Sequence, residues 1–344
     1  MNDAHAPVPE RPTMTQRSET AKTAVRAFLD DLDQAAPGPA TAAVCRAHLA
    51  ADHAYRGVLP IYEQHGPEAL ANTLWSPLKS AMPMLQRRRD IWFSGPHDNR
   101  DSNDIWVVEM GNFIGDFTGD WLGIPATGRA TYLPFAALYR LSDGQIAETV
   151  EFLDILAVLT QGGLNPYAHH QSGGHMMSPG PRTHDGILDW PSPGDETRAT
   201  HDLTLAMLGE LATDYTSPAD HLTRHWHRDM NWFGPTGIGA SHGFGGYARG
   251  HTHPFENKLE TVEIHDWELS VAQGRFSAVM WWPCLTMRNI DGYMGVPAND
   301  AHAEMRVVDL YRRDGDKLAE NWIFIDLLHF LKMQGVDLLS KIGN

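Results

Sequence analysis

The sequence predicts an α+β protein of two tandem cone-shaped domains, each with helices packed on a curved antiparallel sheet. Three observations carry this expectation. First, a block recurs. Glu148-Thr149-Val150-Glu151-Phe152-Leu153-Asp154 returns 172 residues on as Glu320-Asn321-Trp322-Ile323-Phe324-Ile325-Asp326, and Leu138-Tyr139-Arg140 meets Leu310-Tyr311-Arg312 at the same spacing. Further upstream the spacing is 177: Asp52, Tyr55, Gly57, His65 and Gly66 meet Asp229, Trp232, Gly234, His242 and Gly243. Second, in each copy helical periodicity gives way to runs of β-type apolar and aromatic residues. Third, two long registers rather than many short ones imply tandem domains, not a solenoid.

The elements follow in order. Ala21, Val25, Phe28, Leu29 and Leu32 fall at helical spacing over 19–32, and Pro37-Gly38-Pro39 ends that helix. A second helix carries Ala43, Val44 and Ala47 toward Asp52, and a short strand holds Tyr55 and Val58. Gly66-Pro67-Glu68 opens a helix with Pro at an early position, where its missing N–H does no harm. Strands are expected at 91–93, 105–108, 131–139 and 145–154, with Asp143-Gly144 as the hairpin turn between the last two. Residues 95–104 read as a polar hairpin loop holding the five extra residues of the first copy. The second copy repeats the order: helices at 201–212 and from Ser217, strand 229–233, helix near 244–249, and strands at 259–265, 267–272, 276–287, 303–312 and 317–326. The expected division is a disordered tail at 1–18, one domain at 19–165, a flexible linker at 166–199 and a second domain at 200–344.

Composition sets limits. With 344 residues, 42% hydrophobic, the chain can bury two ordinary cores. A formal charge of −16 argues against a general nucleic-acid binder. Arg87-Arg88-Arg89 reads as a solvated helix end or strand start, with an anion site as the alternative. Two cysteines far apart suggest no disulfide framework. The polar N-terminus and the lack of any long apolar run point to a cytoplasmic protein with no membrane partner.

The recurring strand suggests chemistry. Glu320, Trp322, Phe324 and Asp326 share one strand face, as do Glu148, Val150, Phe152 and Asp154. Acids and rings on one face suit a strand lining an apolar pocket. Desolvation there would raise the pKa of Asp326 or Asp154 toward that of a working acid/base, with helix capping as the alternative role. Asp229, which matches Asp52, is a second candidate carboxylate. The second copy is the richer: His227, His251, His253, Trp282, Asp309 and Trp322 stand where the first has Ala50, Leu74, Ser76, Met110, Ala137 and Val150. His253, His242 and His227 are therefore candidates to polarise a substrate oxygen. Trp232, Trp282, Trp322, Phe324 and Asp309 are the candidate walls. His251-x-His253 raises a metal pair, but no third ligand stands at motif spacing, so no metal and no cofactor is expected.

With helices before a curved sheet, the run Gly119-Asp120-Trp121-Leu122-Gly123-Ile124-Pro125-Ala126-Thr127-Gly128-Arg129, a Tyr-Arg strand, an Asp-Gly turn and Glu-x-x-x-x-x-Asp, the chain resembles the SnoaL-like polyketide cyclases. These belong to the superfamily of nuclear transport factor 2 (NTF2) and ketosteroid isomerase. The resemblance implies an NTF2-like cone in each copy and cofactor-independent aldol closure, with the acid/base at Asp326 and Asp154. The fold also hosts isomerases, epoxide hydrolases, dehydratases and non-catalytic binders. The expected function is acid/base chemistry on a hydrophobic, oxygenated small molecule; a binding protein is the alternative. The two copies are expected to form an internal pseudo-dimer, packed through their outer sheet faces, with further homo-oligomerisation left open.

Overall fold

Thr13 sets the start of the first helix. Its hydroxyl accepts from the Gln16 N–H at 3.2 Å while the Gln16 side chain accepts from the Thr13 N–H at 2.8 Å, a reciprocal cap. In the computed structural model, which describes residues 12–99, 104–174, 178–213 and 218–342, α1 (Met14–Gln34) thus begins five residues before the expected Glu19. It buries Val25, Phe28, Leu29 and Leu32. Then come α2 (Pro39–His48), β1 (Leu49–Gly57), β2 (Glu63–His65) and α3 (Pro67–Leu70). A π-helical turn at Ala71–Trp75, α4 (Ser76–Ala81) and strands β3 (Gln86–Gly95), β4 (Ile105–Asp116), β5 (Ala130–Ser142) and β6 (Gln145–Leu153) follow, and α5 (Ile155–Gln161) closes the half.

The second half repeats the plan. It holds α6 (Gly194–Thr213), α7 (Pro218–His225), β7 (Trp226–Phe233), β8 (Ala240–His242) and α8 (Gly243–Tyr247). A second π-helical turn at Ala248–Thr252 leads to α9 (His253–Lys258). Strands β9 (Leu259–Ile264), β10 (Leu269–Gln273), β11 (Phe276–Asn289), β12 (His302–Asp314) and β13 (Lys317–Ile325) precede α10 (Leu327–Met333). The strand orders are β2-β1-β6-β5-β4-β3 and β10-β11-β12-β13-β7-β8, with β9 paired to β11. Each sheet contains one parallel pairing, β1 with β6 and β7 with β13; the other pairings are antiparallel. The single strand β3 of the first half corresponds to two shorter strands, β9 and β10, in the second. Of the expected loop at 95–104, residues 100–103 lie outside the described residues, as do Ser217 and most of the tail; His97–Asn99 form a 3₁₀ turn.

The halves pack sheet against sheet. Phe152 meets the Trp282 ring edge-on at 5.4 Å, Phe93 meets Phe276 at 6.4 Å, and Arg56 pairs with Glu268 at 2.6 Å. Two bonds are exchanged symmetrically. Asp326 accepts from the Leu59 N–H at 3.0 Å, and Asp154 accepts from the Thr236 N–H at 2.9 Å; Leu59 and Thr236 are themselves matched positions.

The stretch expected as a flexible linker is docked along much of its length. Gly173 and Gly174 donate to Ile238 and Ala240, while Trp92 exchanges backbone bonds with Gly186 and Leu188 at 2.8 Å each. Asp185 pairs with Arg312 at 3.2 Å, and the Pro179 carbonyl accepts from the Trp322 indole at 2.7 Å. The stretch ends in α6, whose first turn carries Asp195 and Glu196. Carboxylates there favour the helix N-terminus.

Candidate functional site

The two cones are filled differently, and the site follows from that. On β3 of the first half, Arg87 turns inward with its side chain 3% exposed and pairs with Asp33 at 3.0 Å and Glu109 at 3.2 Å. Its guanidinium lies 4.7 Å from the Phe113 ring centre, with Trp75 and Phe135 near 5.5 Å and 5.6 Å. Arg89 meets the other Glu109 oxygen at 2.8 Å. The Tyr55 hydroxyl donates to Glu151 at 3.1 Å, and burial pushes Glu151 up to about 7. This corrects the reading of the Arg87-Arg88-Arg89 run as solvated: β3 does start there, but Arg87 is the core of the first cone.

In the second half the register partner of Leu285 is Ile264, as that of Phe113 is Arg87. Ile264 puts no long side chain inside, and Trp281 and Ile323 stand where the first half has Glu109 and Glu151. What remains is a cavity of about 380 Å³. Trp226, Trp232, Trp281, Met305 and Ile325 supply apolar wall, and Asp309, Tyr311, Asn321, His251 and Cys284 supply polar groups. The lining also includes half-buried Glu256 and Trp267 and exposed Asp266.

Asp309 projects from β12 and is 8% exposed. The Asn321 amide donates to it at 3.1 Å and to the Leu310 carbonyl at 3.0 Å. Burial pushes the Asp309 carboxyl up to about 6, with hydrogen bonds from Asn321 and Tyr311 holding it back; the Tyr311 hydroxyl is raised well above its usual range by the same burial and by the neighbouring carboxylate. His251 comes from the π-helical turn and stacks on Trp232 at 4.2 Å and 22°. Burial drives its pKa down to about 4, so the ring is neutral at physiological pH, and its Nδ1 has no hydrogen-bond partner among the described residues. A desolvated acid, a tyrosine and a neutral imidazole in one apolar cavity can exchange a proton with a bound molecule and stabilise charge on an oxygen.

Two of the residues expected at the site, Trp232 and Asp309, line this cavity. The others do not. Asp326 caps α10, accepting from the His329 N–H at 3.2 Å, and its other oxygen takes Leu59 across the interface. Asp154 caps α5 in the same way through the Ala157 N–H at 3.1 Å. Burial raises Asp326 to about 6, and its neighbours are the two backbone donors and the Arg306 guanidinium at 3.8 Å rather than the cavity. His253 is exposed. His242 is also exposed and bonds Asn231 at 2.8 Å; His227 meets the Asp314 carbonyl at 2.7 Å, and exposed Asp229 pairs with Arg182 at 3.1 Å. Trp282 lies between Arg56 and Arg306 at the contact of the halves. Trp322 stacks on Phe233 at 5.6 Å, and Phe324 is buried on the same outer parity. The inward residues of β13 are Asn321, Ile323 and Ile325, the alternate set from the one expected. His251 and His253 share no face, since both lie on helical turns.

Residues 99–162 match the family model of the SnoaL-like polyketide cyclases. This SnoaL-like stretch runs from the 3₁₀ turn through β4, β5 and β6 into α5 of the first half. No curated protein matches the chain. Among solved structures, a candidate SnoaL-like polyketide cyclase of Jannaschia sp. CCS1 is similar at 21% identity and TM-score 0.35, over 46% of this chain and 100% of that one. An NTF2-like protein of Burkholderia xenovorans LB400 matches at 16% identity and TM-score 0.31, over 40% and 96%. IdmH of Streptomyces antibioticus, a candidate polyketide cyclase, matches at 18% and 0.31, over 43% and 99%. Among the described residues no helix is long and apolar enough to cross a membrane.

Proposed function

We propose that the second half is an acid/base site for a hydrophobic, oxygenated small molecule, with Asp309 as the group that moves the proton, and that the first half is a structural partner. The observation that carries this is Asp309 itself: a carboxyl inside an apolar cavity, raised to about 6 by burial, beside Tyr311 and Asn321. A base whose pKa nears the working pH is suited to proton abstraction next to a carbonyl. Asp309 would take the proton from that carbon and the C–H electron pair would move into the carbonyl. Tyr311 or His251 would donate to the resulting oxyanion. Returning the proton elsewhere gives an isomerisation; attack of the carbanion on a second carbonyl of the same molecule gives the aldol closure that the SnoaL resemblance suggests.

Asp309→Asn keeps the shape and removes the titrating group. Turnover of a cognate ketone should fall about 10²-fold or more, while Asp326→Asn should leave the chemical step largely intact. Undiminished turnover in Asp309→Asn would refute the assignment. A second reading, a binding protein without turnover, is favoured by one observation: Asp326, the acid expected from the cyclase pattern, is committed to helix capping. Ligand uptake with no exchange of the acidic C–H for solvent deuterium would decide for that reading.

A further inference from the structure

The two cones balance buried charge in opposite ways. In the first, fully buried Glu109 is met by Arg87 and Arg89, and the Arg87 guanidinium is faced by aromatic rings. The positions that surround this guanidinium, Trp75, Phe113, Phe135 and Tyr139, correspond to Thr252, Leu285, Val307 and Tyr311, and all four line the second cavity. That space is therefore kept, without the cation. The acid is kept too, moved to Asp309 where the first half has Ala137.

Among the described residues no lysine or arginine lines the second cavity, whereas three carboxyl groups do: buried Asp309, half-buried Glu256 and exposed Asp266. Glu256 Oε1 is buried and has no hydrogen-bond partner among the described residues. Among the described residues two histidines line the cavity: burial drives the His251 pKa down to about 4, and His265 bonds Thr286 at 2.9 Å and lies 3.9 Å from Glu263. Rings of Trp226, Trp232, Trp267 and Trp281 complete the lining. A buried carboxylate without a cation is costly, and aromatic faces attract cations.

We propose that the second cavity also takes a lipophilic amine that enters protonated, its ammonium paired with Asp309 and faced by the tryptophan rings, filling the role that Arg87 fills in the first half and, by engaging the proposed base, competing with an oxygenated substrate. The same lining rejects carboxylates and phosphates. This rests on the second cavity being the binding site, as proposed above, but not on any reaction there.

Three probes of like shape separate the cases on the full chain: 2-(aminomethyl)naphthalene, 2-(hydroxymethyl)naphthalene and 2-naphthoate, titrated by tryptophan fluorescence and calorimetry at neutral pH. The amine should bind about tenfold or more tighter than the alcohol, and naphthoate should not bind. Asp309→Asn should lower the ratio of amine to alcohol affinity about tenfold. The unmodified chain decides even if that variant fails to fold. An alcohol that binds as tightly as the amine, or a bound naphthoate, overturns the charge preference while leaving the cavity as the binding site. Failure of all three to bind overturns both.

Discussion

At the scale of single residues, Asp309 has a thermodynamic signature distinct from its chemistry. Its pKa rises from 3.8 to about 6 on folding, so the folded state binds its proton more tightly than the unfolded state does. The stability this gives is fully present below about pH 4 and is lost as pH rises toward 6. Asp309→Asn should therefore match the parent near pH 4 and exceed it at pH 7.5, by on the order of 2 kcal/mol. Urea unfolding at the two pH values measures this, and because Asp326 titrates alike in both proteins the difference isolates Asp309. A variant weaker than the parent at pH 7.5 would contradict the proposed desolvation. Asp309 was visible in the sequence because Ala137 occupies the matched position. His251 stood out in the same way against Leu74, and as half of a histidine pair, but nothing in the spacing reveals that it turns onto Trp232 from a π-helical turn.

At the scale of elements, β13 shows why the fold was easier to read than the site. Alternation separated Glu320, Trp322, Phe324 and Asp326 from Asn321, Ile323 and Ile325 correctly. It did not say which set faces the cavity, because the outer face is apolar too, covered by the other half and by the connecting stretch. The ringed and charged set looked like the better pocket wall and proved to be the outer one. β3 carries a similar lesson: three consecutive arginines look solvated, yet strand parity sends Arg87 inward to Asp33 and Glu109, contacts far away in sequence. Arg87→Leu should destabilise the chain by about 3–5 kcal/mol, since it leaves a buried carboxylate short of a partner. Adding Glu109→Gln should recover part of that loss. Thermal or urea denaturation of both variants checks it, and a neutral Arg87→Leu would show that the network contributes nothing.

At the scale of the whole molecule, the duplication was legible from its registers, and so was the packing of outer sheet faces. The exchange of capping carboxylates was not, because it needs the loops at Leu59 and Thr236 to meet helices of the opposite half. Each half alone would lose a backbone bond to a buried carboxyl and expose Phe152 or Trp282. Fragments 1–166 and 199–344, produced separately, should aggregate, or associate when mixed, in size-exclusion chromatography. Two well-behaved monomers that ignore each other would refute this.

The guanidinium lodged in the first cone bears on stoichiometry. A pair of cones assembled from identical chains would offer two equivalent vacancies. Here the space in the first cone is filled by the polypeptide itself, so calorimetry with a ligand of the second cavity should saturate at one equivalent with no cooperativity within the chain, and two equivalents would contradict the proposed division of roles.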